Sequence, residues 1–197
     1  SGATYMDGTT DITRTYPLGP LTEDEKRFYT WTLQCHIDLA KAVWLDYCEC
    51  KMIDTIAREP LWRHLINYRC GTGHSVSFVG NVHEGPHALN SRNTTRMRPG
   101  MVVTDEPGVY ETDLVGIRIE NELVCVHKAD NQYGTFLGFE PLMFVPIATS
   151  PILPGVLDKD EIAWLNDYHR QVFAKLAPHL NDEERSWLAE KCAAIGC

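Results

Sequence analysis

Residues 99–126, PGMVVTDEPGVYETDLVGIRIENELVCV, are the stretch that decides the fold. Two segments within it, GMVVTDEPGVY and GIRIENELVCV, alternate apolar and polar residues with the period of two that is typical of half-buried strands. Thr112 and Asp113 lie between these segments in a short polar stretch. The pattern predicts two antiparallel strands that are joined by a turn.

Helical patterns precede this hairpin. Thr22 and Glu25 have the spacing of a capping box, and the apolar stripe that follows them predicts a helix to about residue 46. A second helix is expected over about residues 52–66. Pro60 lies inside that second segment, so we expect a kinked helix or two short helices there.

Two amphipathic helices are predicted after the strands. Asp158 and Asn181 are of the residue types that cap helix N termini, and the segments that follow predict helices over 159–177 and 182–195. Gly196 is in the right position to end the second helix.

The remaining segments predict further strands. Residues 1–20 alternate weakly around a turn signal at Asp7 and Gly8, and residues 68–86 combine β-branched residues with four glycines that indicate sharp bends. Residues 134–147 add more strand. The order of these patterns indicates an α+β fold, in which a curved antiparallel sheet is flanked by helices and followed by a helical tail.

Composition and charge argue against several classes of protein. The 27 acidic and 18 basic residues give a net charge of −9, which disfavours binding to nucleic acid. No apolar run approaches the roughly 20 residues that span a membrane. The seven cysteines fit no disulfide framework, and no second pair follows Cys48 and Cys50 at zinc-finger spacing. We therefore expect the reducing environment of the cytoplasm.

Acidic and histidine side chains in the β-rich region are candidate metal ligands. An acid that points inward from a strand is costly unless a positive group neutralises it, and Arg118 can neutralise only one. Carboxylates with an imidazole suit manganese, zinc, cobalt or iron, and two bridged ions can activate a water. The candidates are Asp11, His74, His83, Glu106 and Glu120.

Each candidate also has a purely structural interpretation, and the residues alone leave both open. The alternatives are a turn cap for Asp11, a buried core histidine for His74, a loop position for His83, a turn-edge acid for Glu106, and an ion pair with Arg118 or Lys128 for Glu120.

Four segments resemble, in order and spacing, the signature blocks of the aminopeptidase P group of the creatinase and methionine aminopeptidase superfamily, the pita-bread metallopeptidases. They are DGTTDITRT (7–15), GTGHSVSFVGNVHEGP (71–86), MRPGMVVTDEPGVY (97–110) and GIRIENE (116–122). The later segments FLGFEPLMFVPI and WLNDYH are similar to the C-terminal extension of the eukaryotic cytosolic type. The resemblance implies the C-terminal part of a pita-bread catalytic domain over residues 1–156 and a helical extension over 157–197.

The resemblance also implies a site with two divalent ions, commonly manganese, with zinc and cobalt as alternatives. Asp11, His74, Glu106 and Glu120 match metal ligands, and of these Asp11 and Glu120 match the pair that bridges the ions. Glu106 further matches the catalytic carboxylate that activates the bridging water.

Three positions are expected on the substrate side of that site. His83 matches a catalytic histidine that faces the substrate and steadies the tetrahedral intermediate. Arg118 matches a group that lies close to the ligands. Cys70 stands four positions before His74, where the family usually has a histidine that shapes the substrate site. A thiol is smaller than imidazole and a poorer hydrogen-bond donor.

The family's first aspartate ligand would fall one position before Ser1. The resemblance therefore predicts a C-terminal fragment of a larger enzyme, whose N-terminal part carries that ligand. We expect the fragment to bind one ion well and the second poorly, and to have low peptidase activity alone.

The implied activity is that of a metal-dependent Xaa-Pro aminopeptidase. Such an enzyme removes the N-terminal residue from peptides with proline in second position, through a metal-bridging hydroxide. The intact parent is expected to be a cytoplasmic homodimer that binds neither nucleic acid nor membrane. The alternative is a non-catalytic pita-bread module that binds a peptide or protein partner. Large apolar residues of the tail could form a subunit interface or cover the sheet; they are Trp164, Leu165, Tyr168 and Trp187.

Overall fold

The computed structural model describes residues 1–196 and has the expected α+β architecture, with antiparallel strand pairs and four α-helices in that range. A four-stranded sheet has the order β3-β10-β9-β6, and three two-stranded sheets pair β1 with β2, β4 with β5, and β7 with β8. The elements are β1 (Gly2–Tyr5), β2 (Gly8–Asp11), α1 (Glu23–Ala40), β3 (Val43–Leu45), α2 (Cys50–Trp62), β4 (Gly73–His74), β5 (Ala88–Leu89), β6 (Val102–Asp105), β7 (Gly108–Glu111), β8 (Val115–Arg118), β9 (Asn121–Asn131), β10 (Gly134–Pro141), α3 (Lys159–Leu176) and α4 (Asp182–Lys191).

The hairpin predicted over residues 99–126 is present, but it is divided into two ladders. β6 pairs with β9, and the last pair of that ladder is Asp105 opposite Asn121. β7 pairs with β8, and the first pair of that ladder is Gly108 opposite Arg118. Pro107 lies between the ladders and has no amide hydrogen to donate. The two strands therefore separate locally between the ladders.

The first helix begins as predicted but ends early. The hydroxyl of Thr22 accepts the N–H of Glu25, and the Glu25 side chain accepts the N–H of Thr22, which completes the capping box. The helix ends at Ala40 rather than near residue 46. Trp44 instead lies in β3, where pairing with β10 leaves it 5% exposed. This tertiary pairing outweighs the local helical pattern.

The expectations for residues 52–66 and 68–86 are corrected in part. α2 is a single helix that ends at Trp62, and Pro60 lies in its last turn, where it disturbs few backbone hydrogen bonds.

Within residues 68–86 the only strand is the two-residue β4. The rest of that segment is irregular, and it contacts the sheet through single bridges such as that between Ser75 and Val103.

The C-terminal helices both begin with capping boxes at the predicted residues. α4 ends at Lys191, before the predicted residue 195, and its cap is Cys192 rather than Gly196. The side-chain amide of Asn166 binds both the N–H and the carbonyl of Ile195, at 2.9 and 3.0 Å, and so holds the end of the described chain in a non-helical path. Within residues 1–196, no helix combines the length and hydropathy needed to cross a membrane.

The tail packs onto the body of the protein mainly through α3. Leu165 and Tyr168 are buried in the same apolar cluster as Leu33 of α1. Trp164 is half-buried against this cluster, whereas Trp187 of α4 is 56% exposed. The large apolar residues of α3 therefore cover the core, and Trp187 is the one that faces outward.

We expect Leu165→Ala to lower the free energy of unfolding by about 2–5 kcal/mol, because it leaves a cavity in a packed core. The matched change Trp187→Ala on the exposed side of the tail should cost less than about 1 kcal/mol. Urea denaturation followed by circular dichroism measures both values. Equal losses would contradict this account of how the tail packs.

Candidate metal centre

Four acidic or histidine side chains converge where the hairpin separates. One ligand atom from each of Asp11, His74 and Glu120 lies within 4.8 Å of the others. Nε2 of His74 lies 3.1 Å from Oε1 of Glu106 and 3.6 Å from Oδ2 of Asp11. The four residues predicted as ligands therefore lie together in space, although they are far apart in the chain.

The divided hairpin explains why Glu106 and Glu120 face each other. Extending either ladder into the gap places Glu106 opposite Glu120. Their backbone N–H groups donate to other segments, that of Glu106 to the carbonyl of Thr72 at 2.8 Å and that of Glu120 to the carbonyl of Thr13 at 3.0 Å. These two segments enter the gap on either side, and each brings one of the other two ligands.

Gly73 allows the segment that carries His74 to pass close to β6. A Cβ atom at Gly73 would lie 1.8 Å from the carbonyl oxygen of Thr104, so a larger residue cannot be accommodated without displacing backbone. The hydroxyl of Thr104 accepts the N–H of His74 at 2.9 Å and donates to Oε1 of Glu106 at 3.0 Å. One threonine thus positions two of the four candidate ligands.

The imidazole of His74 is oriented for ligation through Nε2. Its Nδ1 lies 3.2 Å from the carbonyl oxygen of Ser75, which favours the proton on Nδ1 and directs the other nitrogen toward the carboxylates. Burial alone would lower the pKa of His74. The hydrogen bond to Glu106 and the negative charges of Glu106 and Asp11 outweigh burial and raise that pKa.

The two glutamates have opposite electrostatic environments. Burial raises the pKa of Glu120 to about 7, and the neighbouring charges of Glu106 and Asp11 add to this effect. For Glu106, burial also acts to raise the pKa, but the hydrogen bond from His74 and the charge of Arg118 outweigh it and lower the pKa. Nη1 of Arg118 lies 3.1 Å from Oε2 of Glu106. Glu106 is therefore held in its ionised form, whereas Glu120 is only partly ionised at neutral pH.

The donor set fits a divalent cation. Oε1 of Glu120 is buried and has no hydrogen-bond partner among residues 1–196. The carboxylate of Glu120 is grouped with a second carboxylate and an imidazole nitrogen, which together form the oxygen-rich donor set that manganese, zinc or cobalt accepts. A cation there would also balance the negative charge that Arg118 leaves uncompensated.

Of the three residues expected on the substrate side, His83 and Arg118 lie against candidate ligands and Cys70 lies at the start of β7. The ring of His83 lies 4.0 Å from the ring of His74, measured between centroids. Arg118 contacts Glu106 directly, and its guanidinium carbon lies 5.6 Å from the centre of the Tyr110 ring. Cys70 is half-buried, and its Sγ lies 3.6 Å from the carbonyl oxygen of Gly108, at the start of β7.

The sequence pattern did not indicate several residues that support the ligands. Glu122 is 4% exposed, and its Oε1 accepts the N–H of Asp11 at 2.5 Å, which holds β2 against β9. The hydroxyl of Thr13 donates to Oε2 of Glu120, and the guanidinium of Arg14 donates to the Glu120 carbonyl. All three supporting residues lie within the quoted signature blocks, and that position is the only sequence signal that could have indicated them.

A cavity of about 800 Å³ lies against the same strands. Its walls include Thr10 and Ser75, the chain neighbours of two candidate ligands, together with Glu122 and Phe78. None of the four candidate ligands lines it, because successive side chains of a strand point to opposite faces.

Clustered carboxylate and imidazole side chains on this α+β fold are typical of a metal-dependent hydrolase. The comparison with family models gives the same class. The chain belongs to metallopeptidase family M24: the model of that family matches residues 1–127, and the model of its C-terminal region matches residues 135–195. The fold is accordingly the pita-bread fold that the sequence predicted.

The names of individual relatives are more specific than the name of the family. Over 100% of the present chain, the sequence is 42% identical to Aminopeptidase P1 of Lotus japonicus. Over 95% of the present chain, it is 44% identical to Aminopeptidase P2 of Arabidopsis thaliana. It covers 30% and 27% of these two proteins, so it spans less than a third of their length.

Solved structures that resemble this chain are also peptidases that act on proline-containing peptides, by their names. The X-prolyl aminopeptidase of Caenorhabditis elegans, described as a cytosolic enzyme with a di-nuclear active site, matches 98% of this chain with a TM-score of 0.93 and 39% identity. The match covers 32% of that enzyme. The prolidase of Pyrococcus furiosus matches 72% of this chain, and 39% of its own, with a TM-score of 0.60 and 29% identity.

The raised pKa of Glu120 predicts how the stability of the metal-free protein depends on pH. The native state holds the Glu120 proton more tightly than the unfolded chain does, so stability should fall as pH rises from about 4.5 to about 7. Glu120→Gln should remove up to about 3 kcal/mol of this fall. Urea unfolding at pH 5 and pH 7.5 measures the change, with Glu111→Gln at the exposed end of β7 as the matched control. A fall of the same size in both variants would contradict the prediction.

Proposed function

We propose that Asp11, His74, Glu106 and Glu120 hold a divalent cation, and that the protein to which this chain belongs is an Xaa-Pro aminopeptidase. The observation that carries the proposal is the convergence of ligand atoms from Asp11, His74 and Glu120, together with a buried carboxylate oxygen of Glu120 that has no hydrogen-bond partner among residues 1–196. The names of the most similar relatives support the substrate class. The reaction is then hydrolysis of the bond between an N-terminal residue and a following proline.

In this proposal Glu106 is the catalytic base. A divalent cation in the site acts as a Lewis acid that activates water and neutralises developing negative charge. Glu106 accepts the proton that the attacking water loses, since Arg118 and Thr104 keep the carboxylate ionised and fixed in orientation. The same carboxyl group later delivers this proton to the leaving proline nitrogen.

His83 is assigned to the substrate. Its ring lies against that of His74, close enough to the ligands for an N–H to stabilise the oxygen of the tetrahedral intermediate. Arg118 and Cys70 line the same side, beside the start of β7. We assign Arg118 to orienting Glu106 and the bound peptide, and Cys70 to shaping the substrate pocket.

Manganese is the proposed physiological ion, with zinc or cobalt as alternatives. A set of three carboxylates and one imidazole is rich in hard oxygen donors and has no thiolate, which suits manganese. The printed description of the Caenorhabditis elegans enzyme, a di-nuclear active site, supports two ions in the whole protein.

The wider organisation is also a proposal. All the strands precede residue 157 and helices α3 and α4 follow it, which supports a catalytic part over 1–156 and a helical extension over 157–197. The description of the Caenorhabditis elegans enzyme as cytosolic supports a cytoplasmic location. The similarity of the tail to the extension of the cytosolic type supports a homodimer.

A non-catalytic module that binds a peptide or protein is the second candidate. Cys70 favours it, because the thiol stands where the family usually has a histidine on the substrate side. The clustered carboxylates favour the enzyme, because a peptide-binding module has no need for three acids at one point.

Metal binding is the first test. We expect isothermal titration with Mn²⁺ at pH 7.5 to show saturable binding, and His74→Ala to weaken it at least tenfold, because the only nitrogen ligand is lost. His127→Ala changes an exposed histidine on β9 and should leave the affinity unchanged. Absent binding by the unmodified protein would exclude the metal site and favour the binding module.

Activity of the whole protein is the second test. We expect Mn²⁺-loaded protein to release the first residue of a tripeptide with proline in second position, and not that of its alanine counterpart. Glu106→Gln should lower kcat about 10²- to 10⁴-fold, since an amide cannot accept the proton. Glu111→Gln serves as the control for loss of one surface charge. Equal turnover of the proline and alanine peptides would reject the Xaa-Pro assignment.

A further inference from the structure

Three completely buried polar side chains lie directly behind the two facing glutamates. Asp105 and Asn121 form the last pair of the β6–β9 ladder, and each is 0% exposed. Glu106 follows Asp105 in the chain, and Glu120 precedes Asn121. The third side chain, His36, is also 0% exposed and comes from α1 rather than from the hairpin.

His36 bridges the two members of this ladder pair. Its Nδ1 lies 3.0 Å from Oδ2 of Asp105 and 3.3 Å from the carbonyl oxygen of the same residue. Its Nε2 lies 3.2 Å from Nδ2 of Asn121. The imidazole therefore contacts both strands at the point where they begin to separate.

Arg14 fixes the orientation of this bridge. Its Nη2 donates to Oδ1 of Asn121 at 2.7 Å, which turns the amide N–H of Asn121 toward His36. Nε2 of His36 accepts that N–H, so its Nδ1 carries the proton and donates it to the carbonyl oxygen of Asp105, with Oδ2 of the same residue 3.0 Å away. Nη1 of Arg14 donates to the carbonyl of Glu120 at 2.5 Å, and Nη2 also donates to the hydroxyl of Tyr168 at 2.8 Å.

Stability alone does not account for polar residues at this position. A buried polar group or charge carries a desolvation cost, and well-packed apolar side chains often replace buried ion pairs without loss of stability. The bridge is also directional, because each of its hydrogen bonds accepts only one geometry. Its place beside both glutamates therefore points to a role in fixing distance and direction.

We propose that His36 is a positioning residue for the metal site. It touches none of the four ligands, and it acts through Asp105 and Asn121 by setting how far apart the strands hold Glu106 and Glu120. The inference rests on the proposed function, since it assigns His36 to the same cation site.

Mn²⁺ affinity tests this role without using enzymatic activity. Electron paramagnetic resonance counts free Mn²⁺ in a titration of the protein, at a temperature where circular dichroism shows every variant folded. We expect His36→Leu to raise the Kd for Mn²⁺ about 10- to 100-fold, the range found when a group that orients ligands is removed. His36→Gln keeps a donor and an acceptor, and it should recover part of the affinity.

Leu33→Ala is the matched control. Leu33 lies on the same helix, is 0% exposed, and belongs to an apolar core cluster. We expect it to lower the melting temperature at least as much as His36→Gln, yet to leave the Kd for Mn²⁺ within twofold of the unmodified protein.

Each result has one meaning. A Kd unchanged in both His36 variants, or raised equally by Leu33→Ala, overturns the positioning role. If His36→Leu does not fold, a Kd for His36→Gln within twofold of the unmodified value has the same meaning. If the unmodified protein binds no Mn²⁺, the proposed metal site itself is wrong, which is a separate result from a failure of the positioning role.

Discussion

Repulsion among the carboxylates of Asp11, Glu106 and Glu120 is the constraint on which the rest of the structure depends. The three acids converge in a partly buried space, and among residues 1–196 Arg118 is the one lysine or arginine side chain that forms an ion pair with any of them. Such a cluster separates unless the backbone holds it together or a cation enters it. The divided hairpin, the close passage at Gly73 and the bridge behind the glutamates each hold part of the cluster in place.

The fold holds the acids together because the backbone segment that carries each candidate ligand is hydrogen-bonded to a neighbouring segment. Glu106 and Glu120 lie in a gap with ladders on both sides, so neither strand can slide relative to the other. Hydrogen bonds to Thr72 and Thr13 fix the two remaining segments in that gap. Backbone pairing therefore determines the positions of the four candidate ligands, and their side chains have little conformational freedom left.

Local features of the fold could be predicted from the sequence, and the support of the site could not. Capping boxes and the 99–126 hairpin depend on neighbouring residues, and they were found. Trp44 was placed in a helix because its strand partner, Leu137, is far along the chain. The four candidate ligands were assigned through resemblance to a family, and their role remains a prediction. The contacts of Arg14 with Val145 and Tyr168 span more than 130 residues, and no spacing within one segment indicates them.

The long-range contacts of Arg14 determine when the support of the site can form during synthesis. Its hydrogen bonds join a segment near the start of the described chain to the hairpin and to Tyr168 of the penultimate helix. During synthesis the N-terminal end leaves the ribosome first, so Arg14 waits for more than 150 residues before its last partner emerges. A nascent chain therefore completes the support of the acidic cluster only after α3 has been made. Until then, the carboxylates are free to stay apart in water.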